Sequence, residues 1–464
     1  QYIEQLEKYQ KSLNNEHLTV FMQVGDFYEV YGLEYNDGKT RGNIWEVCND
    51  LNIKYNYKKT KVFDDESIKV VMGGVSVERI ELFLNMAVEG WEWTVVMITQ
   101  QGDDKNVTRY LENIISPGTN IYSTQANNAL MVIYLESLSD IKTPRLRKLY
   151  AGISHLDCLT GESGIIQYPS KEASSDAVIY DEILKIITIK NPSEVVIYTS
   201  KCDLTEDELV KLFHLDNRRH HIILDDIPKE YSNKANNKQE HIFNKIYGKG
   251  KGNGNGNGKG KEKKDRNIYE TIGVGDLPSC RVSLALMLKY IIERNPLILS
   301  KIQLPDMMYN LNDNLILANN SIEQLNIVSI QKRTNYRQKC ASMLDILDNT
   351  KTHMGKRLIR ERLMNPISNH KILNERYQLI GDFINFNKKD SETSFKINNF
   401  LRNIGDIKVI SRQFNCGRIK IQHIPSIHTT FLTSLDLFKY FRSNIINSKK
   451  HNKLKSLLAF LEKI

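Results

Sequence analysis

The sequence predicts a multidomain chain, mixed α/β in its first half and all-α in its second. Three observations predict it. At 464 residues the chain is longer than one core can organise, so two to four domains are expected. Up to Tyr247, short apolar runs rich in Val, Ile and Met alternate with amphipathic stretches, the pattern of α/β units. From Leu277 onward, apolar residues recur at helical spacing with few strand-like runs. With 41% hydrophobic and 26% charged residues the composition reads as soluble and globular, and no run of roughly eighteen apolar residues suggests a membrane span.

The elements follow in order. QYIEQLEKYQKSL opens inside a helical pattern, with Ile3, Leu6 and Leu13 at helical spacing; it has no signal-peptide character and no starting Met. LTVFMQV from Leu18 is a strand. VGDFYEVYG, Val24–Gly32, then admits two readings. Asp26 as an N-cap and Glu29 three residues on form a capping box, starting a helix in which Phe27 and Tyr28 pack. Alternatively Phe27 is held out to touch something. GLEYNDGKT, Gly32–Thr40, resembles a phosphate loop, but five residues separate Gly32 from Gly38 where four are required, and Asp37 would face the anion. VVMGGVSV is a strand, ERIELFLNMAVEGW an amphipathic helix, WTVVMITQ a buried strand, and SPGT (Ser116–Thr119) the turn that leaves the domain.

A second α/β unit follows. NNALMVIYLESL and YAGISHLDCLTGESGIIQYP have strand character, the latter turning at Thr160-Gly161, and DEILKIITIKNPSEVVIYTS reads helix, loop, strand. GKGKGNGNGNGKGKEKK from Gly248 has no apolar residue to offset its ordering entropy and is expected to be a flexible insertion. SLALMLKYIIERNP carries Leu284, Met287, Leu288, Ile291 and Ile292 on one stripe before Pro296 ends it. NERYQLIGDFINF repeats the pattern with Tyr377, Ile380, Phe383 and Ile384, a stripe read as core, and helical spacing returns between Ile427 and Phe441. KLKSLLAFLEKI stops in mid-helix, so the sequence reads as a piece of something longer.

Catalytic chemistry is sparse. The six cysteines are scattered without a CxxC pair, which argues against a disulfide framework or zinc site and for a reducing, intracellular compartment; nucleus, cytoplasm, organelle and viral factory are not distinguished. His214, His220 and His221 cluster with Asp216, Asp225 and Asp226 but lack HExxH spacing. No GxSxG occurs. The net charge of +9 permits a polyanionic partner without requiring one.

FMQVGDFYEVY, Phe21–Tyr31, resembles the opening motif of the MutS mismatch-repair proteins, in which Gly-Asp-Phe-Tyr-Glu follows a strand. Further matches run in the family's order. Met72-Gly73-Gly74-Val75 resembles its Met-Ala-Gly-Ile step, although Val71 and Ser76 replace the flanking prolines. Ser116-Pro117-Gly118-Thr119 resembles its Thr-Pro-Gly-Thr close, and Asp157, Thr160, Gly161 and Glu162 its Asp-x-x-Thr-Gly-Glu. LDILDNTKTHMGKRLIRERLMNPI, with Asp348, Thr350, Thr352, Met354-Gly355, Arg357-Leu358 and Asn365-Pro366, resembles its core segment, which Ile404-Gly405-Asp406 continues.

The resemblance implies a mismatch-binding domain over residues 1–122, a ribonuclease H-like connector over 123–247, the flexible insertion over 248–275, and an incomplete helical core and lever domain over 276–464. It implies double-stranded DNA with mismatches as partner, a homo- or heterodimer with another MutS-like subunit, a MutL-like protein as a further partner, and no membrane. It implies no cofactor in this chain, with ATP and Mg serving an ABC-type ATPase domain that the sequence lacks. Asp157 is then a scaffold residue and not a nuclease carboxylate. Phe27 is expected to stack on a mispaired base and Glu29 to hydrogen-bond it, as acceptor from a base donor or, protonated, as donor to a purine nitrogen. Gly25, Asp26, Tyr28, Met72, Gly73 and Gly74 support the motif. A wedged ring costs a few kcal/mol of unstacking, less where pairing is poor, so deformability discriminates and sequence need not be read. Two other readings stand beside this one: a MutS-like DNA-binding protein of a non-repair transaction, and a purely structural helical interaction fragment.

Overall fold

A computed structural model describes residues 1–58, 68–102, 107–123, 128–139, 147–168, 176–216, 218–232, 236–248, 267–307, 315, 321–328, 342–387, 391–421 and 423–445. The glycine-rich run falls, over 249–266, outside the described residues. Contacts divide the chain into two units: Gln1–Ile179 with Asn191–Asp306, and Tyr180–Lys190 with Met307–Ile464.

The first unit opens with helix α1 (Tyr2–Ser12), followed by β1 (Leu18–Val24), β2 (Phe27–Tyr35), β3 (Thr40–Arg41), α2 (Ile44–Asp50), β4 (Tyr55–Lys58), β5 (Ile68–Ser76), α3 (Ile80–Asn85), β6 (Thr94–Gln101) and β7 (Thr108–Ile115). These strands form one sheet in the order β4-β5-β2-β1-β6-β7, with β3 added to β2. β1 and β6 pair in parallel and are almost entirely buried, as runs such as LTVFM and TVVMI require when both faces are covered. Phe21, Leu84 and Trp93 fill the core, while Tyr2 and Leu6 of α1 close one side and the Tyr2 hydroxyl donates to the Val20 carbonyl at 2.9 Å.

One reading of this region is corrected, and the phosphate-loop resemblance already set aside on spacing has a structural account. The capping-box helix at Asp26–Glu29 does not form: Phe27 begins a nine-residue strand, because Gly25 (φ +59°) turns the chain straight back into a hairpin. The phosphate-loop look-alike is likewise a strand and turn. Gly32 lies within β2, where a Cβ would meet Ile44 Cγ2 at 2.5 Å, and the Gly38 amide bonds back to the Tyr35 carbonyl at 2.9 Å.

The second sheet follows with β8 (Ala129–Ser139), β9 (Arg147–Asp157), β10 (Ser163–Tyr168), α4 (Asp176–Lys190), β11 (Glu194–Ser200), α5 (Glu206–Leu212), β12 (Arg219–Ile223), α6 (Asn236–Tyr247), α7 (Ile268–Ile272), α8 (Pro278–Arg294) and β13 (Asp306–Met307). Its order is β12-β11-β8-β9-β10-β13; β8, β9 and β10 form antiparallel pairs, and β11 runs parallel to both β8 and β12. The Asp157…Glu162 motif is the β9–β10 turn: Asp157 Oδ1 accepts from the Leu159 amide at 2.9 Å, and Gly161 sits at φ +76°.

Helix α8 departs from expectation. The apolar stripe predicts one buried face and a place among the helices that follow. Instead the helix is buried on nearly every side and packs on β8 and β9. Where it meets β9 it presents small residues, Ser279, Cys280 and Ser283, and Ser283 Oγ lies 2.7 Å from Ser154 Oγ on β9. Gly152 makes that approach possible, since a Cβ there would overlap the Ser279 backbone. Gly152→Ala is therefore expected to destabilise the unit by about 1–3 kcal/mol, read as a lower urea midpoint.

The second unit is helical: the Tyr180–Lys190 part of α4, then α9 (Ser321–Gln324), α10 (Met343–Leu347), α11 (His353–Met364), α12 (His370–Asn387), α13 (Ser391–Arg402), α14 (Ile407–Asn415) and α15 (His423–Ile445). The LDILDNTKTHMG segment has a local logic. Asp348 Oδ1 accepts from the Thr350 amide and hydroxyl at 3.1 and 2.5 Å, and Thr352 caps α11 by accepting from the Gly355 amide at 3.0 Å. Arg357 pairs with Asp406 at 2.7 Å, joining two of the matched motifs. Phe383 and Phe386 of α12 pack with Phe441 of α15. Tyr377, Ile380 and Ile384, read as core, are exposed in the structure. No helix among the described residues is long and apolar enough to cross a membrane.

Candidate nucleic-acid interface

Side chains alternate across a strand, so Phe27, Glu29 and Tyr31 share one face of β2 while Tyr28 and Val30 point into the core. Phe27 is 51% exposed and Tyr28 only 5%. The Tyr28 hydroxyl meets Thr99 Oγ1 at 3.3 Å, and burial pushes its phenol up, so it is a neutral structural group. Tyr28 was expected to point inward for helical reasons; it does so because of strand alternation.

The hairpin tip is held firmly. The Gly25 amide donates to Gln100 Oε1 at 3.1 Å, Gln23 Nε2 to the Gly25 carbonyl at 3.1 Å, and the Val77 amide to the Asp26 carbonyl at 2.9 Å. Phe27 is thus presented from a tethered turn. Its pairing partner across to β5 is Ser76, and that of Glu29 is Gly74. The two glycines do different work. A Cβ on Gly73 would meet Cys48 Sγ at 2.7 Å, so this glycine lets α2 approach the sheet. A Cβ on Gly74 would meet Glu29 Cγ at 3.2 Å, so this one leaves room for the carboxylate. Met72 pairs with Tyr31.

Tyr31 donates a hydrogen bond to Glu29 Oε2. Burial, then that bond and the carboxylate's charge, push the Tyr31 phenol well above its ordinary value, so it remains a donor. Lys58 of β4 brings Nζ within 3.3 Å of the Tyr31 hydroxyl and 5.2 Å of the ring centroid, while the charge of Arg109 on β7 acts on the same phenol. Arg109 is anchored by Nε donating to the Gln23 carbonyl at 3.3 Å. The face therefore combines an exposed ring, a carboxylate and two cations. Tyr31, Lys58 and Arg109 went unassigned from sequence. Strand alternation would have placed Tyr31 beside Glu29, but nothing local marks Lys58 or Arg109, which arrive from other strands.

The histidine cluster does not converge on a metal: among the described residues no group of three His, Cys, Asp or Glu could hold one. His221 instead lies 3.0 Å from the buried Glu194, and His220 Nδ1 lies 2.9 Å from the Arg218 carbonyl.

The family model for MutS domain III matches residues 320–464. A mutS homolog of Acanthamoeba polyphaga mimivirus is 30% identical over 436 residues, covering 90% of this chain and 37% of the relative. The DNA mismatch repair protein MutS of Prochlorococcus marinus is 23% identical over 456 residues, covering 93% of the chain and 42% of that protein. The chain belongs to the MutS family. A mitochondrial DNA mismatch repair protein mutS homolog of Sarcophyton glaucum matches a shorter stretch, at 30% identity over 191 residues, 39% of the chain and 18% of that protein. The chain spans about two fifths of the length of the mimivirus and Prochlorococcus relatives. The MutS domain III match covers α9 to α15, including the Arg357–Asp406 pair.

Proposed function

We propose that this chain recognises mismatched or looped-out bases in duplex DNA, as the lesion-reading part of an ATP-dependent mismatch-repair protein. One observation carries the reading: a half-exposed phenylalanine at a tethered hairpin tip, two residues from a carboxylate on the same strand face, with Lys58 at the Tyr31 hydroxyl and Arg109 at the Gln23 carbonyl. An aromatic ring wedged from the minor groove kinks the duplex where stacking is weakest, and a mismatch is such a place. Glu29 hydrogen-bonds the displaced base. Arg109 neutralises phosphate beside the wedge.

In this reading residues 1–122 are the mismatch-binding domain and 123–247 a ribonuclease H-like connector whose Asp157 serves a turn. Helices α9 to α15 of the second unit are the core and lever, while α8 stays with the connector's sheet. ATP and Mg act through a nucleotide-binding domain outside this chain, and the working protein is a homo- or heterodimer that signals to a MutL-like partner. Names given to the relatives support the repair context, since both the mitochondrial and the Prochlorococcus protein are called DNA mismatch repair proteins.

Fluorescence anisotropy of the chain on a G·T-mismatched and a fully paired duplex, over a salt series, tests this. Binding is expected to favour the mismatch and to weaken steeply with salt. Arg109→Gln is expected to weaken both duplexes alike and to reduce the salt slope by about one. Equal binding to both duplexes by the unaltered chain, or a flat salt dependence, contradicts the reading.

A further inference from the structure

We propose that Tyr31 and Lys58 are positioning residues that aim the Glu29 carboxylate before DNA arrives. The proposal rests on the base-reading role of Glu29 and adds to it the device that sets the carboxylate's geometry. A glutamate on an open strand face has several rotamers, and a carboxylate approaching DNA is repelled by phosphate. Both effects spread it away from a base unless something holds it. The structure supplies a holder. Tyr31, two residues along the same face, donates its hydroxyl hydrogen to Glu29 Oε2, and Lys58 Nζ approaches that hydroxyl oxygen at 3.3 Å. The chain of donors therefore runs Lys58 to Tyr31 to Glu29, each bond polarising the next. Among the described residues Glu29 Oε1 accepts no hydrogen bond, which leaves one carboxylate oxygen for a base.

The phenol ring is itself fixed. It meets the Tyr2 ring edge-on at 5.4 Å between centroids, and Lys58 lies over its face. Gly74 across the strand pair completes the arrangement, because a side chain there would crowd Glu29 Cγ. A reader held in place loses less freedom on binding, so its contact counts for more in discrimination. Phe27, one alternation step further along the face, is presented by the hairpin and needs no such support.

The test compares the full chain with Phe27→Ala, Glu29→Gln, Tyr31→Phe, Lys58→Gln and Lys58→Arg, measuring affinity for mismatched and paired duplexes at one salt concentration, with thermal midpoints alongside. Tyr31→Phe keeps the ring packing and removes only the donor. It is expected to lower the mismatch-over-paired ratio about three- to tenfold, leaving paired-duplex affinity and the midpoint unchanged. Lys58→Gln should lower the ratio less, and Lys58→Arg should restore it. In the Glu29→Gln background, Tyr31→Phe should add nothing, the coupling that a merely structural tyrosine would not show. If Phe27→Ala and Glu29→Gln cut the ratio while Tyr31→Phe leaves it intact, the positioning role is overturned and base reading stands. If Phe27→Ala leaves the ratio intact, base reading itself fails and the positioning role with it. A Tyr31→Phe effect that falls equally on both duplexes, or appears in the midpoint, also overturns the proposal.

Discussion

Phe27→Ala is expected to remove most of the preference for mismatched over paired duplex while leaving the fold in place. The fold should persist because the ring belongs to no core: it is half exposed, and the residues that close the first sheet, Phe21, Trp93 and Leu84, lie inside. The turn that presents it is tied by backbone and glutamine contacts that the substitution does not touch. The loss on DNA should be large because stacking an aromatic ring on a base contributes about 1–3 kcal/mol by alanine substitution, and here that energy is realised only where a base step opens. The mismatch preference should fall by roughly five- to a hundredfold, and affinity for paired duplex by much less, since Arg109 and the other cations still meet phosphate. Anisotropy titrations at fixed salt on both duplexes read the ratio. A preference that survives the substitution refutes the wedge.

The site's legibility in sequence was uneven for physical reasons. VGDFYEV carries both a capping-box spacing and a strand alternation, because Asp at the start and Glu three residues on satisfy either. What decided between them was the hairpin: β1 already pairs with β6 and offers its other edge to β2, a tertiary fact absent from the local pattern. The exposure of Phe27 and the burial of Tyr28 then follow from a period of two. Lys58 and Arg109 could not be found in this way, since sheet register alone brings β4 and β7 toward the face that β2 exposes.

Helix α8 is assigned to the helical half by its apolar stripe, which suits a sheet face as well as a helix bundle; what seats it on β9 is the small residues Ser279, Cys280 and Ser283, with Gly152 opposite them as the matching gap. In α12 the apolar stripe is real, but apolarity does not say what covers it: Phe383 and Phe386 find Phe441, whereas Tyr377 and Ile380 are exposed. The strands β1, β5, β6, β8, β9, β10 and β11 were legible, because runs such as VVIYT are nearly pure β-branched and aromatic, whereas the more exposed β4 and β7 carry no such run.

Glu194→Ala should carry the largest stability cost in the chain. Glu194 opens β11 fully buried, and four donors converge on its carboxylate. Oε2 accepts from the Ser116 hydroxyl at 2.5 Å and the Gly118 amide at 2.9 Å, both in the turn that leaves the first sheet. Oε1 accepts from Tyr290 of α8 at 2.6 Å and from Nε2 of His221 on β12 at 3.0 Å. The Arg294 guanidinium lies over the Tyr290 ring at 3.4 Å. Burial alone would push this carboxyl up, but His221, Arg294 and Ser116 more than offset it and hold it near 2, below the usual 4.5. Removing the carboxylate strands the donors of three elements at once, so a loss of about 3–5 kcal/mol is expected in urea unfolding at neutral pH. The sign with pH is fixed by the downward shift. The stabilisation is complete above 4.5 and disappears as pH falls toward 2, because the unfolded chain takes up the proton first. Trp45, Trp91 and Trp93, the chain's three tryptophans, all belong to the first-sheet region and report its unfolding by fluorescence. The unaltered chain should lose stability between pH 4.5 and 2 more steeply than Glu194→Gln, which has no proton to take up at this position. Equal acid sensitivity in the two, or a neutral-pH midpoint unmoved by Glu194→Ala, would show that the carboxylate does not fasten the first sheet's exit to β11, β12 and α8.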